Sequence, residues 1–488
     1  MGTGEYKVVR CELEVSQTQV RLRKDGSIAR RKDIRFNPQE LETATVLFLV
    51  ELLQAYRLRG DEANLLGEWL YRLLLADTFG DELHADLSDK NTFLRIELIF
   101  VEEPNGELAK LPWEYLRRPA TATEEGYFLA AHEQAAVVRR PPVPTCRTLR
   151  IGGEQEPPRI LFVASSPSDL PPLVFDVVRK DIQHLANVKL TELPSPYEAD
   201  PTQAVAKGEK PQATYDAFKD ALKNFAPHVV HFLGHGRFNK DNGRGEIAFM
   251  DESYRARWVS GDQLEGDLKK CLSVRLVFLQ ACESATEDPG QTVHPAVWSD
   301  AYQALSSVAG CVVQIGIPAI VAMQAKVENM SANNFARAFY QALVAGMPIY
   351  RAVQIARVAS PEGGGPVNQR VSCVPVLYLD TAGVNDEGIL FGAPASPAPP
   401  LRKFPDSIPC PWSPCKKVIT ISAMATEAPK FCSRCTNPLF CPNCGLAVSN
   451  VDTEDQIYNC TKCRNVIPRA QQPAAAERLQ PATALGVG

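Results

Sequence analysis

Apolar residues gather into short runs closed by small or polar ones, and two of these runs set the pattern of the chain: VVHFLG at 229–234 and LVFLQA at 276–281. A strand buried on both faces of a parallel sheet reads as such an uninterrupted run, where a half-exposed strand would alternate. From 156 to 392 runs of this kind alternate with helical spacing. Strands are expected at 160–164, 189–193, 229–233, 276–280 and 311–315. Helices are expected after 172 and near 213–224, 296–308 and 328–345, with a hairpin near 246–258. This order predicts an α/β fold, a doubly wound and mainly parallel sheet with helices on both faces.

The pattern changes on either side of that core. EYKVVRCELEV and QTQVRLRKDG alternate like antiparallel strands, ELETATVLFLVELLQAYRL and EANLLGEWLYRLLLADTF carry helical spacing, and TFLRIELIFVE is a further strand followed by a turn at Asn105-Gly106. Residues 1–155 are therefore expected to form an N-terminal α+β region, either a degenerate copy of the core fold or a separate module; no tetratricopeptide period is present. Prolines crowd into 393–409, a semi-rigid linker. The tail 467–488 has little to bury and is expected to be disordered.

Reactive side chains stand at the ends of the two runs. His235 lies between Gly234 and Gly236, so nothing bulky crowds its ring, and Cys282 follows the second run directly. Ligands of open α/β sheets bind at the carboxyl ends of strands. A Cys and a His meeting there form a thiolate–imidazolium pair, the nucleophile of a cysteine peptidase. A lone thiol after an apolar strand is more often inert core; the glycine-flanked histidine favours chemistry here. The amides of Gly236 and of the Cys282 neighbourhood are candidates for an oxyanion hole. His231, earlier in the same strand, reads as a packed supporting residue, and no side chain is evident for orienting His235. Asp251, Asp262, Glu283, Glu287, Asp288 and Glu328 are acids available for a substrate pocket, and the polar loops 194–212 and 284–297 are candidates for lids or processing sites.

At these residues the sequence resembles the CHAT family of bacterial caspase-like peptidases, in the clan of caspases, separases and gingipains. HVVHFLGHG with the base at His235 and LVFLQACESA with the nucleophile at Cys282 carry the match. RILFVASSPSDLPPL at 159–173, the segment 316–357, VPVLYLD at 374–380, LPWEYLRRP at 111–119 and YFLAAHEQAAVVRRPP at 127–142 extend it. The resemblance implies a caspase-like peptidase domain at 156–392 and a cysteine endopeptidase that cleaves a partner protein in bacterial signalling or antiphage defence. One departure concerns the substrate pocket: Gln324 is followed by Ala325 where the family commonly has an aromatic residue, and the next acid is Glu328.

Composition places this peptidase reading in a soluble, cytoplasmic, multidomain protein. The chain has 488 residues and a net charge of −5, with no signal-like or membrane-length apolar run and no pull toward anionic partners. Cysteine spacing adds a metal. Of the 14 cysteines, eight fall in 410–466 as Cys410/Cys415, Cys432/Cys435, Cys441/Cys444 and Cys460/Cys463, with gaps of 16 and 15 residues within the two sets. Knuckles spaced in this way predict two zinc-ribbon modules, each with four cysteine ligands and one structural Zn2+, most simply by sequential pairing, with interleaved pairing open. KKVITI and QIYNC read as their strands. A small core of this kind is marginal without metal. The ribbons are expected to dock a protein activator or sensor; nucleic acid is possible and not favoured, because Asp452, Glu454 and Asp455 dilute the basic residues. Two other readings compete with the endopeptidase: a catalytically silent scaffold and a nucleic-acid-binding regulator working through the ribbons.

Overall fold

The computed structural model describes residues 6–27, 30–37, 40–54, 57–76, 79–101, 107–140, 157–173, 175–194, 213–239, 241–242, 244–281, 308–309, 311–312, 316–324, 329–360, 369–380, 388–391, 407–409, 418–420, 457–459 and 466–468. The strands in chain order are β1 (Lys7–Val15), β2 (Gln19–Lys24), β3 (Arg30–Asp33), β4 (Thr92–Phe100), β5 (Arg117–Arg118), β6 (Tyr127–Phe128), β7 (Ala135–Arg140), β8 (Arg159–Ala164), β9 (Lys189–Pro194) and β10 (Val229–Gly234). They continue with β11 (Gly236–Asn239), β12 (Arg244–Met250), β13 (Ala256–Ser260), β14 (Leu276–Ala281), β15 (Ala319–Met323) and β16 (Pro375–Leu379).

An 11-stranded sheet in the order β3-β2-β1-β4-β7-β16-β15-β14-β10-β8-β9 organises residues up to Ala398, which form one compact unit. The α/β class and mainly parallel sheet read from the sequence are what the topology shows. β15, β14, β10, β8 and β9 form one parallel block, and β1, β4, β7 and β16 form another. The two blocks meet at the antiparallel pair β15–β16. Their carboxyl ends therefore lie at opposite edges of the sheet.

Apolar runs became central strands because both faces are covered. Phe162, Leu276, Phe278 and Val321 pack with the helices Asp176–Gln183, Asn329–Val344 and Ile349–Ala359. Leu161, Val230, Val277 and Ile320 pack with Tyr215–Asn224 and Gly261–Leu268. The latter two helices start at side-chain caps, Thr214 accepting from the Ala217 amide at 3.1 Å and Ser260 with Gln263 forming a capping box.

The expected boundary at 155 does not separate two sheets. β1, β4 and β7 join the core sheet through β16, and β4 is buried at every position, with Leu94, Ile96 and Leu98 on one face and the Arg95–Glu97 ion pair between Phe93 and Ile99 on the other. Helices Leu41–Gln54, Gly60–Leu74 and Gly80–Ser88 form a core with β1, β2 and β4. Gly67 lets the second of them lie against the Tyr115 carbonyl and Arg117, space a Cβ would occupy. Buried charge crosses the junction. Glu114 takes Arg139 bidentately, Nε to Oε1 at 3.0 Å and Nη2 to Oε2 at 2.6 Å, while Arg139 also donates to the carbonyls of Ala109 and Leu111 and to Gln324 Oε1. Arg357, fully buried, donates to the carbonyls of Val137 and Pro375, and burial lowers its pKa to about 10.

Where a strand was expected at 311–315, Cys311 and Val312 are helical and 313–315 lie outside the described residues; a strand runs over Ala319–Met323, beginning after Pro318. An apolar run shows that a segment is buried and leaves its conformation open. The turn at Asn105-Gly106 lies outside the described residues, as do the linker up to 406, the loops beyond Pro194 and Ala281, and the tail from 469; Ile467 and Pro468, expected in a disordered tail, are paired in a strand.

Residues from Pro399 form a second unit. It contains two antiparallel hairpins, β17 (Ser407–Pro409) with β18 (Val418–Thr420) and β19 (Ile457–Asn459) with β20 (Val466–Pro468). KKVITI and QIYNC thus contribute strands as read, and β17 begins inside the stretch expected to be linker, since Ser407 and Ile408 find partners in Thr420 and Ile419.

Candidate active site

β10 and β14 are parallel neighbours whose last residues, Gly234 and Ala281, pair with one another. His235 and Cys282 are each the next residue in sequence after that pair. Cys282 itself, with Glu283, Glu287 and Asp288, lies outside the described residues, as does Glu328.

The histidine is fixed on both sides by main chain. The Leu233 carbonyl accepts from the Ser165 amide at 2.8 Å, and the His235 carbonyl accepts from the Ala248 amide at 2.9 Å. A Cβ on Gly234 would come within 2.5 Å of two Phe232 ring carbons, so only glycine fits between these anchors. The ring of His235 is buried, and its Nε2 lies 3.0 Å from the Pro171 carbonyl. A carbonyl only accepts, so Nε2 carries the proton, and in the neutral ring the lone pair resides on Nδ1.

This orienting carbonyl is the functional group that the sequence did not disclose, because every residue has one. The SSPSDLPPL loop that supplies it is tied down at several points. Ser168 donates to the Tyr254 carbonyl through its amide at 2.8 Å and its hydroxyl at 3.0 Å. The Ala256 amide donates to Asp169 Oδ1 at 2.7 Å, and the Leu173 amide to Ser166 Oγ at 3.1 Å. Tyr254 takes a positive φ of 63°, held by a turn in which Asp251 Oδ1 accepts from the Ser253 and Arg255 amides. Asp251 is committed to that turn.

Gly236 faces Ile247 across β11 and β12. The bond from the Ala248 amide to the His235 carbonyl makes this a non-hydrogen-bonded pair, so the Gly236 N–H is directed away from β12. That direction suits a donor to a substrate oxygen.

His231 is a buried supporting residue, as its strand position implied. Its Nε2 lies 3.1 Å from Gln280 Oε1 and its Nδ1 3.0 Å from the Tyr340 hydroxyl. The ring stacks on Phe278 at 4.3 Å, and burial lowers its pKa to about 3. His228 accepts from the Arg159 amide at 3.3 Å at the opposite end of β10. Gln324 follows β15 and joins the Arg139 network to the Cys373 carbonyl, which its Nε2 meets at 2.7 Å. The segments LPWEY, VVRR and AMQ are therefore bound into one buried structure.

Among the described residues, Asp262, Glu265 and Cys311 bring ligand-type atoms within 4.8 Å of one another. Arg244 pairs with Asp262, and burial raises the Cys311 pKa. The cysteines expected to bind zinc, Cys410, Cys415, Cys432, Cys435, Cys441, Cys444, Cys460 and Cys463, lie outside the described residues. No helix among the described residues is long and apolar enough to cross a membrane.

Fold and site define a mainly parallel α/β protein with a main-chain-oriented histidine at the carboxyl edge of its central strands. The chain matches the CHAT domain over residues 64–369 and belongs to that family. The match starts upstream of residue 155, in agreement with the shared sheet. No curated protein matches the chain. Among solved structures it is similar to the Saccharomyces cerevisiae separase–securin complex, at 16% identity and a TM-score of 0.32 over 70% of this chain and 19% of that chain. It is also similar to the Arg-specific cysteine proteinase gingipain R, at 9% identity and 0.33 over 71% and 74% of the two chains. A complex of Porphyromonas gingivalis RgpB pro- and mature domains gives 10%, 0.36, 72% and 76%.

Proposed function

We propose that this chain is a cysteine endopeptidase of caspase-like type, with Cys282 as nucleophile and His235 as its proton carrier. The observation that carries the reading is the in-register end of β10 and β14, from which the two residues follow on neighbouring strands. Cys282 Sγ attacks the peptide carbonyl carbon, and the Gly236 amide and the Cys282 amide donate to the oxyanion. His235 Nδ1 takes the thiol proton and passes it to the leaving amine as the C–N bond breaks. Water, deprotonated by the same nitrogen, then cleaves the thioester and restores the thiol. The Pro171 carbonyl holds the ring in the tautomer that this cycle requires.

The substrate is a partner protein, and bacterial signalling or defence is the setting that the family resemblance favours. The C-terminal unit carries two zinc sites of four cysteines each. Cys410/Cys415 and Cys460/Cys463 each lie in sequence between the terminal strand pairs Pro409–Val418 and Asn459–Val466, which supports one knuckle per hairpin. Cys432/Cys435 and Cys441/Cys444 complete the sets. With four protein ligands each, the ions are structural, and the unit is a docking surface for an activator.

Labelling with peptidyl acyloxymethyl ketones bearing P1 Arg, Lys, Asp or Leu tests the reading. A single adduct on the wild type, absent in Cys282→Ala and slowed in His235→Ala, is expected by intact mass. No adduct on the full chain, with cell lysate supplied as activator, overturns it in favour of a scaffold.

A further inference from the structure

The helix Leu41–Gln54 is apolar on two faces and packs only one of them. Val46, Leu49, Val50 and Leu53 are buried in the core shared with β1, β2 and β4. On the opposite side Leu41, Ala44, Phe48 and Leu52 follow one another at spacings of three and four residues, with Leu41 85% and Phe48 47% exposed. The Thr45 hydroxyl donates to the Leu41 carbonyl at 2.8 Å, so it is turned back on the helix itself. Glu42 pairs with Arg72 at 3.7 Å across a short connection, which sets the helix Gly60–Leu74 antiparallel alongside and brings Leu65, 49% exposed, level with Phe48.

A helix that is apolar all round is ordinarily a buried one. Single exposed apolar residues are common on protein surfaces, whereas a line of them along one helix marks a surface that something covers. Glu51, one turn beyond Phe48, indicates what. Its Oε2 is shut off from solvent and accepts no hydrogen bond among the described residues, and burial raises the carboxyl pKa. A carboxylate oxygen kept from water without a donor is destabilising, and a cation arriving with a partner offsets that cost.

The backbone of the covering element is constrained as well. An extended segment laid on a helix buries N–H and C=O groups that find no partner there, while a helix brings its own hydrogen bonds with it. The line from Leu41 to Leu52 is about 16 Å long, three turns of a partner helix. We propose that this face is a docking surface for a basic amphipathic helix of a partner protein, whose apolar side chains pack between Leu41, Ala44, Phe48 and Leu52 and whose Lys or Arg reaches Glu51. A second copy of the same helix fits less well, because LETATVLFLVELLQ contains no Lys or Arg to offer Glu51.

Fluorescence anisotropy on the full-length chain tests it with two probes, acetylated and amidated helical peptides of about 15 residues with Leu along one face and either Lys or Glu along the rest. The Lys probe should bind saturably and the Glu probe about tenfold more weakly or worse, the equivalent of one charge-assisted hydrogen bond. Phe48→Ser and Leu41→Ser should each weaken the Lys probe about tenfold, the worth of one buried apolar side chain, at the wild-type urea midpoint. Leu41, the more exposed of the two, carries the test if Phe48→Ser does not fold. Glu51→Gln should bring the two probes to within about threefold of one another. Equal binding of both probes by the wild type, an unchanged affinity in Leu41→Ser, or an undiminished preference in Glu51→Gln overturns the proposal. A concentration-dependent dimer in sedimentation that Phe48→Ser makes monomeric overturns it in favour of a second copy, and flotation with phosphatidylcholine vesicles that the same variant loses overturns it in favour of a membrane.

Discussion

Glu114→Ala should be among the most damaging single changes outside the active site. The Glu114 side chain is fully buried and Arg139 is 4% exposed, and the pair is joined by bonds of 3.0 and 2.6 Å. Removing the carboxylate leaves a guanidinium inside the protein whose charge is no longer balanced there, although the Ala109 and Leu111 carbonyls still accept from it. Breaking a buried pair from one side costs about 3–5 kcal/mol. With a urea slope of roughly 3 kcal/mol/M, the unfolding midpoint should fall by about 1–1.7 M. Glu114→Gln keeps an acceptor and loses the charge, so its loss should be smaller, about 1–3 kcal/mol. Replacing both partners by apolar residues should not restore the wild type, because two buried carbonyls then lose their donor. Urea unfolding followed by tryptophan fluorescence reads all three variants. A Glu114→Ala midpoint within about 0.3 M of wild type, equal to about 1 kcal/mol at that slope, would refute a buried, charge-balanced junction between the N-terminal strands and the core.

Acid should destabilise the chain partly through His231, whose folded pKa of about 3 lies below its ordinary 6.5. Between those values the unfolded chain binds a proton that the folded ring refuses, so stability falls with decreasing pH by up to about 1.4 kcal/mol per unit. His231→Phe/Tyr340→Phe should flatten the urea-midpoint profile between pH 6.5 and 4.5, and an unchanged slope would count against a buried neutral ring. Gly234→Ala, by driving a Cβ to 2.5 Å from the Phe232 ring, should cost about 1–3 kcal/mol and slow labelling by displacing His235; full labelling rate at an unchanged urea midpoint would refute that packing. Two zinc ions per chain are expected by elemental analysis, with one lost in Cys432→Ser/Cys435→Ser; a full complement in that variant would remove those residues from the ligand set.

What the sequence disclosed, and what it withheld, follows from the kind of information each feature carries. Strands 229–234 and 276–281 were legible because burial on both faces imposes an unbroken apolar run, and the burial of His231 followed from its place inside one. The segment at 311–315 is equally apolar, yet Cys311 and Val312 are helical, since burial constrains composition more than conformation. The change from alternating to continuous patterning suggested a boundary at 155, while β1, β4 and β7, all before it, share one sheet with the strands that follow, a pairing that side-chain patterning does not disclose. The register of β10 on β14 and the Pro171 carbonyl were invisible, because both are properties of the backbone that any side chains permit.

Register, more than residue identity, is what gives the two runs a common end. Five pairs precede Gly234–Ala281, from Val229–Leu276 to Leu233–Gln280, so the runs start and stop together. A slip of one residue would turn Phe278 and Leu279 to the wrong faces, exchanging a ring that stacks on His231 for an aliphatic chain that packs toward the opposite helices. The aromatic stack and the Tyr340–His231–Gln280 line therefore fix which residues of β10 and β14 face each other, and with that the common end of the two strands. A substitution that loosens the line is expected to lower labelling before it lowers the urea midpoint, because the ladder tolerates a small shift that the chemistry does not.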